Sequence, residues 1–122
     1  MTNDEKASRT HRDLPVWQRA MALAEAIYKL TDDFSAEDSL GLMQPLRNAA
    51  VAVPSCIAEG AGRASSNDLG HYLGAALGKV AEVETLLELA KRLDIVDDTN
   101  LESDLLEDVR KQLIMYRRSL RA

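Results

Sequence analysis

The chain has 122 residues, 46% of them in the AVILMFWYC set and 29% charged, which gives one domain enough apolar surface for a core and leaves no length for a second. Lys plus Arg number 15 against 20 Asp plus Glu, a net charge of -5, so the surface as a whole does not attract polyanions and any nucleic-acid site must be a local patch. The sole cysteine, Cys56, excludes an internal disulfide, and His11 and His71 stand apart from any cluster at metal-ligand spacing, so neither a metal nor another cofactor is expected.

Residues 1–12 carry Lys6, Arg9 and Arg12 but almost no apolar side chain, and ordering them would cost conformational entropy with little burial in return. They are expected to form a mobile tail ahead of one domain over residues 13–122. The opening stretch lacks the apolar centre of a secretory signal, and no run approaches the roughly 20 apolar residues of a membrane span. With the lone cysteine, this points to a reducing cytoplasm and no membrane partner.

Asp13 can cap a first helix and Pro15 suits its first turn. Val16, Ala20, Leu23, Ile27, Leu30 and Phe34 form one apolar row, and Leu14, Trp17, Met21, Ala24 and Tyr28 a second beside it, which predicts a broad buried face. Residues 31–41 have no sustained period and read as a connection. A second helix follows from about Leu42 to Glu59, with Leu46, Ala49, Val53 and Ile57 as its stripe. Pro45 fits its first turn, Pro54 is expected to kink it, and Gly60 and Gly62 are expected to end it in the left-handed conformation.

Ser65, Ser66 or Asn67 can cap a third helix, on which Leu69, Leu73, Ala76, Val80, Val83, Leu87 and Ala90 keep a strict alternation of four and three. Gly70, Gly74 and Gly78 recur along it, each costing about 1 kcal/mol of helix propensity relative to alanine, which suggests a close neighbouring backbone as compensation. The pattern breaks over residues 93–100 and resumes at Leu106, Val109, Leu113, Tyr116 and Leu120 as a fourth helix. No alternating run marks a strand. The fold class is therefore all-α, an antiparallel up-down four-helix bundle.

Charge is distributed unevenly along this pattern. Residues 82–108 hold ten acidic side chains against Lys91 and Arg92, whereas residues 109–122 hold Arg110, Lys111, Arg117, Arg118 and Arg121 and no acid. The basic segment reads either as a phosphate-facing ridge or as a solvated helix end that complements the dipole. Arg47 and Glu59 lie about 120 degrees apart around one helix, so each must find partners on other elements, Glu59 in a structural role near Pro54 or the next helix start. Arg63, just past the helix end, can reach a carboxylate or a phosphate. Cys56 has no local imidazole to activate it and reads as a small core residue, and Trp17, Tyr72 and Tyr116 read as core rather than as a base-stacking platform. No nucleophile, acid–base or metal constellation is present, so no enzyme is expected.

Three segments together carry a family resemblance: Asp13-Leu14-Pro15-Val16-Trp17-Gln18; Leu46 through Gly60 with Pro54-Ser55-Cys56-Ile57-Ala58-Glu59-Gly60 at its centre, followed by Gly62-Arg63; and Tyr72-Leu73, Ala76-Leu77-Gly78, Glu82-Val83-Glu84-Thr85 and Ala90-Lys91-Arg92-Leu93. The chain resembles, over roughly residues 13–93, the four helix bundle proteins encoded within 23S ribosomal RNA intervening sequences. Asn48, Cys56 and Lys79 depart from the family pattern, which usually has Arg, Asn and Ser there. The resemblance implies a homopentameric ring and a kinship with the accessory variability determinant proteins of diversity-generating retroelements, which bind nucleic acid and a reverse transcriptase. The function expected on this basis is a noncatalytic, ring-forming scaffold for ribosomal or other structured RNA, or for a ribonucleoprotein partner. Its nucleic-acid-binding candidates are Arg47, Arg63, Arg110, Lys111, Arg117, Arg118 and Arg121. The alternative, suggested by the net charge of -5, is a protein-interaction module with no nucleic-acid role.

Overall fold

The computed structural model describes residues 10–121, and every regular element among them is helical. A 3-10 turn, His11–Asp13, leads into α1, Pro15–Asp32. A short helical turn, α2, Ala36–Asp38, and a π-helical turn, Ser39–Met43, run into α3, Gln44–Ala61; α4 spans Ser66–Arg92 and α5 Asn100–Ser119.

The expected N-terminal tail lies outside the described residues as far as residue 9. From Thr10 onward the chain is organised by reciprocal bonds: the Arg12 amide donates to Thr10 Oγ1 at 3.1 Å, and the Thr10 amide donates to Asp13 Oδ2 at 3.3 Å. The turn they close packs on Trp17, with the His11 ring edge-on at 5.0 Å and the Arg12 guanidinium 5.8 Å from the indole. Asp13 thus serves the turn before α1 rather than the cap of α1. That cap is Leu14, which makes no side-chain cap bond, and Pro15 occupies the first turn, where its missing amide hydrogen is harmless.

The stretch expected to connect the first two helices is mostly helical, and only residues 33–35 separate α1 from α2. Just past that stretch, Leu42 is buried and clusters with Ala90 and Val96. Helix α3 runs on past the buried Pro54 to Ala61. Pro54 has no amide hydrogen for the Ala50 carbonyl, so the cost of that lost bond falls inside the helix.

Neither glycine after Pro54 is left-handed. Gly62 caps α3 at φ -82, and no glycine among the described residues has positive φ. Gly60 is required for space instead: a methyl group there would lie 2.7 Å from Tyr72 Cβ and 3.1 Å from Leu69 Cδ1. The left-handed cap occurs after α4, at Asp94 with φ 58. There the Asp94 amide donates to Lys91 O at 3.0 Å and the Ile95 amide to Ala90 O at 2.9 Å, the paired bonds of a Schellman motif. An aspartate takes this position in place of glycine because its short polar side chain tolerates the left-handed region better than most.

Ser65 caps α4 by accepting the Asp68 amide at 3.1 Å. Leu73, Ala76, Val80, Val83, Leu87 and Ala90 are all buried, so the long apolar seam is the inner face of α4. α3 packs against α1 and α4, and α5 packs against the same two helices. The start of each long helix lies beside the end of its neighbour: Arg47 reaches Asp32, Gly60 abuts Tyr72, and Gly70 abuts Leu120. Leu23, Ile27, Leu46, Val53, Ile57, Leu73, Val80, Val109 and Leu113 fill the space between them.

Two expectations about faces change. The second apolar row of α1 is only partly covered, since Met21 and Tyr28 are exposed and Trp17 half-buried; Ala26 and Thr31 are buried instead. The glycines of α4 are not matched by a neighbouring backbone. Gly70 lies against Leu120 Cδ1, Gly74 makes room for the Arg117 guanidinium at 3.2 Å from where a methyl would stand, and nothing lies within 4 Å of such a position at Gly78.

One carboxylate is buried with the core. Glu102, in the first turn of α5, is 6% exposed, and burial raises its carboxyl above the usual glutamate range, opposed by a bond from its own backbone amide and helped by the charge of Asp98. A carboxyl whose folded value is raised binds its proton more tightly in the folded state, so stability falls as pH rises from the unfolded value of about 4.3 through the folded one. Glu102→Gln keeps the shape and removes the charge. It is expected to raise the urea midpoint at neutral pH and to match wild type below the unfolded value, where both side chains are neutral; denaturation curves across that range check it.

Candidate nucleic-acid interface

The seven cationic candidates separate into those that hold the fold and those that face solvent. Arg47, in the first turns of α3, is clamped to the end of α1. Its Nε donates to Thr31 Oγ1 at 2.7 Å, its Nη2 donates to Tyr28 O at 3.2 Å and Asp32 Oδ1 at 2.8 Å, and its guanidinium lies 4.4 Å from the Tyr28 ring centre. Thr31 is itself buried and donates to Ile27 O at 2.8 Å, so Arg47 completes a satisfied network that ties α3 to α1. Arg110 is likewise occupied. It bridges Glu84 at 2.9 Å and Glu107 at 2.8 Å, joining α5 to α4.

Arg63 is exposed just past α3. It donates to Tyr72 Oη at 2.6 Å with its guanidinium 5.0 Å from that ring, so the residue that forbids a side chain at Gly60 also positions Arg63. Lys111 is exposed on α5 near Asp108, whose carboxyl is held below its usual range by hydrogen bonds from Arg19 and Gln112.

Arg117, Arg118 and Arg121 differ from the ion-paired Arg47 and Arg110, as Arg63 and Lys111 also do, and unlike those two they stand together. All three are exposed in the last turns of α5, and none has a carboxylate within 4.0 Å among the described residues. Because α4 and α5 are antiparallel neighbours, these arginines sit beside the start of α4. A cavity of about 250 Å³ lies between them, lined by Ser66, Asn67, Gly70 and His71 of α4 and by Arg117, Leu120 and Arg121. On the other side of the arginines a second cavity, about 150 Å³, is lined by Leu77, Ile114, Arg117, Arg118 and Arg121. Ser66, Asn67 and His71 were not among the candidates, since they stand some fifty residues from Arg117 and only the antiparallel packing brings them to it. No carboxylate lines either cavity.

The remaining candidates fall outside this cluster. Glu59 is exposed and its side chain makes no hydrogen bond among the described residues, so it does not take up the expected structural role. Cys56 is half-buried on α3, and burial, then the charge of Glu59, push its thiol up, which keeps it protonated and a poor nucleophile. Among the described residues no group of three or more His, Cys, Asp or Glu is placed to hold a metal, and no helix is long and apolar enough to cross a membrane.

At the opposite end of the molecule, the ends of α1 and α4 and the start of α5 carry Asp32, Asp33, Asp94, Asp97 and Asp98, so charge is polarised along the helix axes. The family model for the 23S rRNA-intervening sequence protein matches residues 12–115. The match covers α1, α3 and α4 whole and α5 as far as residue 115, two residues before Arg117. No curated protein matches the chain.

Proposed function

Because this chain belongs to the 23S rRNA-intervening sequence protein family, we propose that it is a noncatalytic scaffold that binds ribosomal or other structured RNA through the basic end formed by α5 and the start of α4. The observation that carries this reading is the cluster of Arg117, Arg118 and Arg121, whose cavities no carboxylate lines among the described residues. Arg47 and Arg110 are ion-paired; these three are not, among the described residues. Arg47 and Arg110 are committed inside the subunit and leave the list of RNA contacts, while Arg63 and Lys111 remain peripheral to it.

The subunit on this reading is an antiparallel up-down four-helix bundle, and the working form is a homopentameric ring in the cytoplasm, associated with ribosomal RNA or a ribonucleoprotein and needing no cofactor. The kinship with accessory variability determinant proteins of diversity-generating retroelements belongs to the same reading. The incompletely covered face of α1 and α3 supports the ring. Trp17, Met21, Ala24, Val51 and Ala58 line an apolar depression of about 300 Å³ there, and Met21 and Val51 are 37% and 41% exposed. A cyclic ring needs two different patches per subunit, and this face supplies one. Light scattering after gel filtration is expected to give about five subunit masses for wild type and a smaller species for Val51→Asp; a concentration-independent wild-type monomer contradicts the ring.

The net charge of -5 opposes long-range attraction to RNA, but the Debye length at physiological salt is about 8 Å, so the acidic end is screened from a strand at the basic end. Binding is therefore short-range and steep in salt, with each phosphate contact contributing about 0.7 to 0.9 to the slope of log affinity against log salt. Titration of labelled ribosomal RNA fragments at several salt concentrations tests this. The triple variant Arg117→Ala, Arg118→Ala, Arg121→Ala is expected to bind more weakly and with a slope reduced by about two, if most of the three each hold a phosphate. A variant equal to wild type in affinity and slope places the contact elsewhere. A wild type that binds no fragment at low salt rejects RNA and leaves the protein-interaction module.

A further inference from the structure

The two cavities at the basic end differ in chemistry while sharing a wall. The first is polar and cationic: Arg117 and Arg121 face the hydroxyl of Ser66, the amide of Asn67 and the imidazole of His71 across it. The second has Leu77 and Ile114 on one side and Arg118 on another, with Arg117 and Arg121 again between. Arg117 stands at this boundary with its guanidinium over Gly74, where a methyl group would come within 3.2 Å. A guanidinium so placed can offer its N–H edge to an anion on one side and its flat face to a planar ring on the other.

We propose that the paired cavities form a subsite for a nucleoside monophosphate group, with a phosphate monoester in the polar cavity and the attached base against Leu77, Ile114 and Arg118. This deepens the RNA reading and rests on it. The charge balance favours a monoester over a chain-internal diester. A monoester carries about -1.5 to -2 at neutral pH, which matches two guanidinium groups, whereas a diester carries a single charge and leaves one of them unneutralised. Size agrees as well: a cavity of about 250 Å³ admits a phosphate with part of its ribose, and its neighbour of about 150 Å³ leaves room for one ring system and no second nucleotide. The group can come from the phosphorylated end of an RNA strand or from a free nucleotide, and the same donors serve both.

One short single-stranded RNA, prepared with a 5′-phosphate, with a 3′-phosphate or with hydroxyls at both ends, is titrated into the full-length protein beside adenosine 5′-monophosphate. At least one phosphorylated end is expected to bind about tenfold or more tighter than the hydroxyl form, the effect of one added charge-assisted bond. Arg117→Ala with Arg121→Ala is expected to abolish that preference while circular dichroism and gel filtration match wild type, and Arg92→Ala, at the far end of α4, is expected to keep it. A nucleotide that competes as well as the phosphorylated strand identifies the free nucleotide as the source; one that does not compete identifies the strand end. Equal affinity for all three strands overturns the subsite and leaves RNA binding intact. A preference that survives in the double variant overturns it too, since the phosphate is then read elsewhere. Failure of every strand and of the nucleotide to bind removes the RNA reading and this inference together.

Discussion

The approach of α3 to α4 at Gly60 is the constraint on which the rest of the arrangement depends. A backbone without a side chain at residue 60 lets the end of α3 close onto Tyr72, and the short corner over residues 62–65 then turns the chain directly into its longest helix. The seam from Leu73 to Leu87 shares one buried cluster with Val53 and Ile57 of α3 and Val109 and Leu113 of α5. Tyr72 also carries the consequence outward, because its hydroxyl accepts from Arg63 and its ring lies beneath that guanidinium. On the other side of α4 the demand is weaker: a methyl at Gly70 would lie 3.7 Å from Leu120, an ordinary contact, and one at Gly74 would meet only the guanidinium of Arg117. The close approach of α3 to α4 is thus set by the absent side chain of Gly60.

Electrostatics divides along the same lines. Arg47 and Arg110 each join two helices through carboxylates, and Arg47 also covers the buried Thr31 hydroxyl, so their charges are engaged within the fold. Ion pairs this exposed contribute at most about 1 kcal/mol each, and their value lies more in fixing which helix ends meet. At the far end of α5 the arginines make no ion pair among the described residues, which concentrates positive charge on one end of an acidic protein. Glu102 is the counterexample at the other end, a carboxylate buried without an ion-pair partner among the described residues, its carboxyl raised by burial.

The helical class, most of the apolar seams, Pro45 in a first turn and a cap among Ser65, Ser66 and Asn67 are legible in the sequence, because apolar spacing and cap chemistry are local properties. What was not legible depended on partners distant in the chain. Trp17, Met21 and Tyr28 form a clear apolar row on α1, yet spacing cannot say whether a face meets the core of its own subunit or the outside. Gly60 looked like a left-handed terminator, when its use is to admit Tyr72; Asp94 takes the left-handed cap without any glycine to announce it. The basic candidates were identifiable by charge alone, but which were free was not: Asp32 stands fifteen residues before Arg47 and Glu84 twenty-six before Arg110. His71 and Asn67 join Arg117 only because α4 and α5 run in opposite directions.

A comparison of two glycines tests the central constraint most directly. Gly60 and Gly78 are both helical, neither has positive φ, and replacing either with alanine removes the same conformational freedom from the unfolded chain, a gain of about 0.5 to 1 kcal/mol. They differ in what the new methyl group meets: Tyr72 Cβ at 2.7 Å for Gly60, and nothing within 4 Å for Gly78. Urea denaturation of the two single variants is expected to show Gly78→Ala more stable than wild type and Gly60→Ala less stable by about 1 to 3 kcal/mol, the range for overpacking. Equal stabilisation by both would mean that α3 and α4 can separate without loss, and would contradict the account.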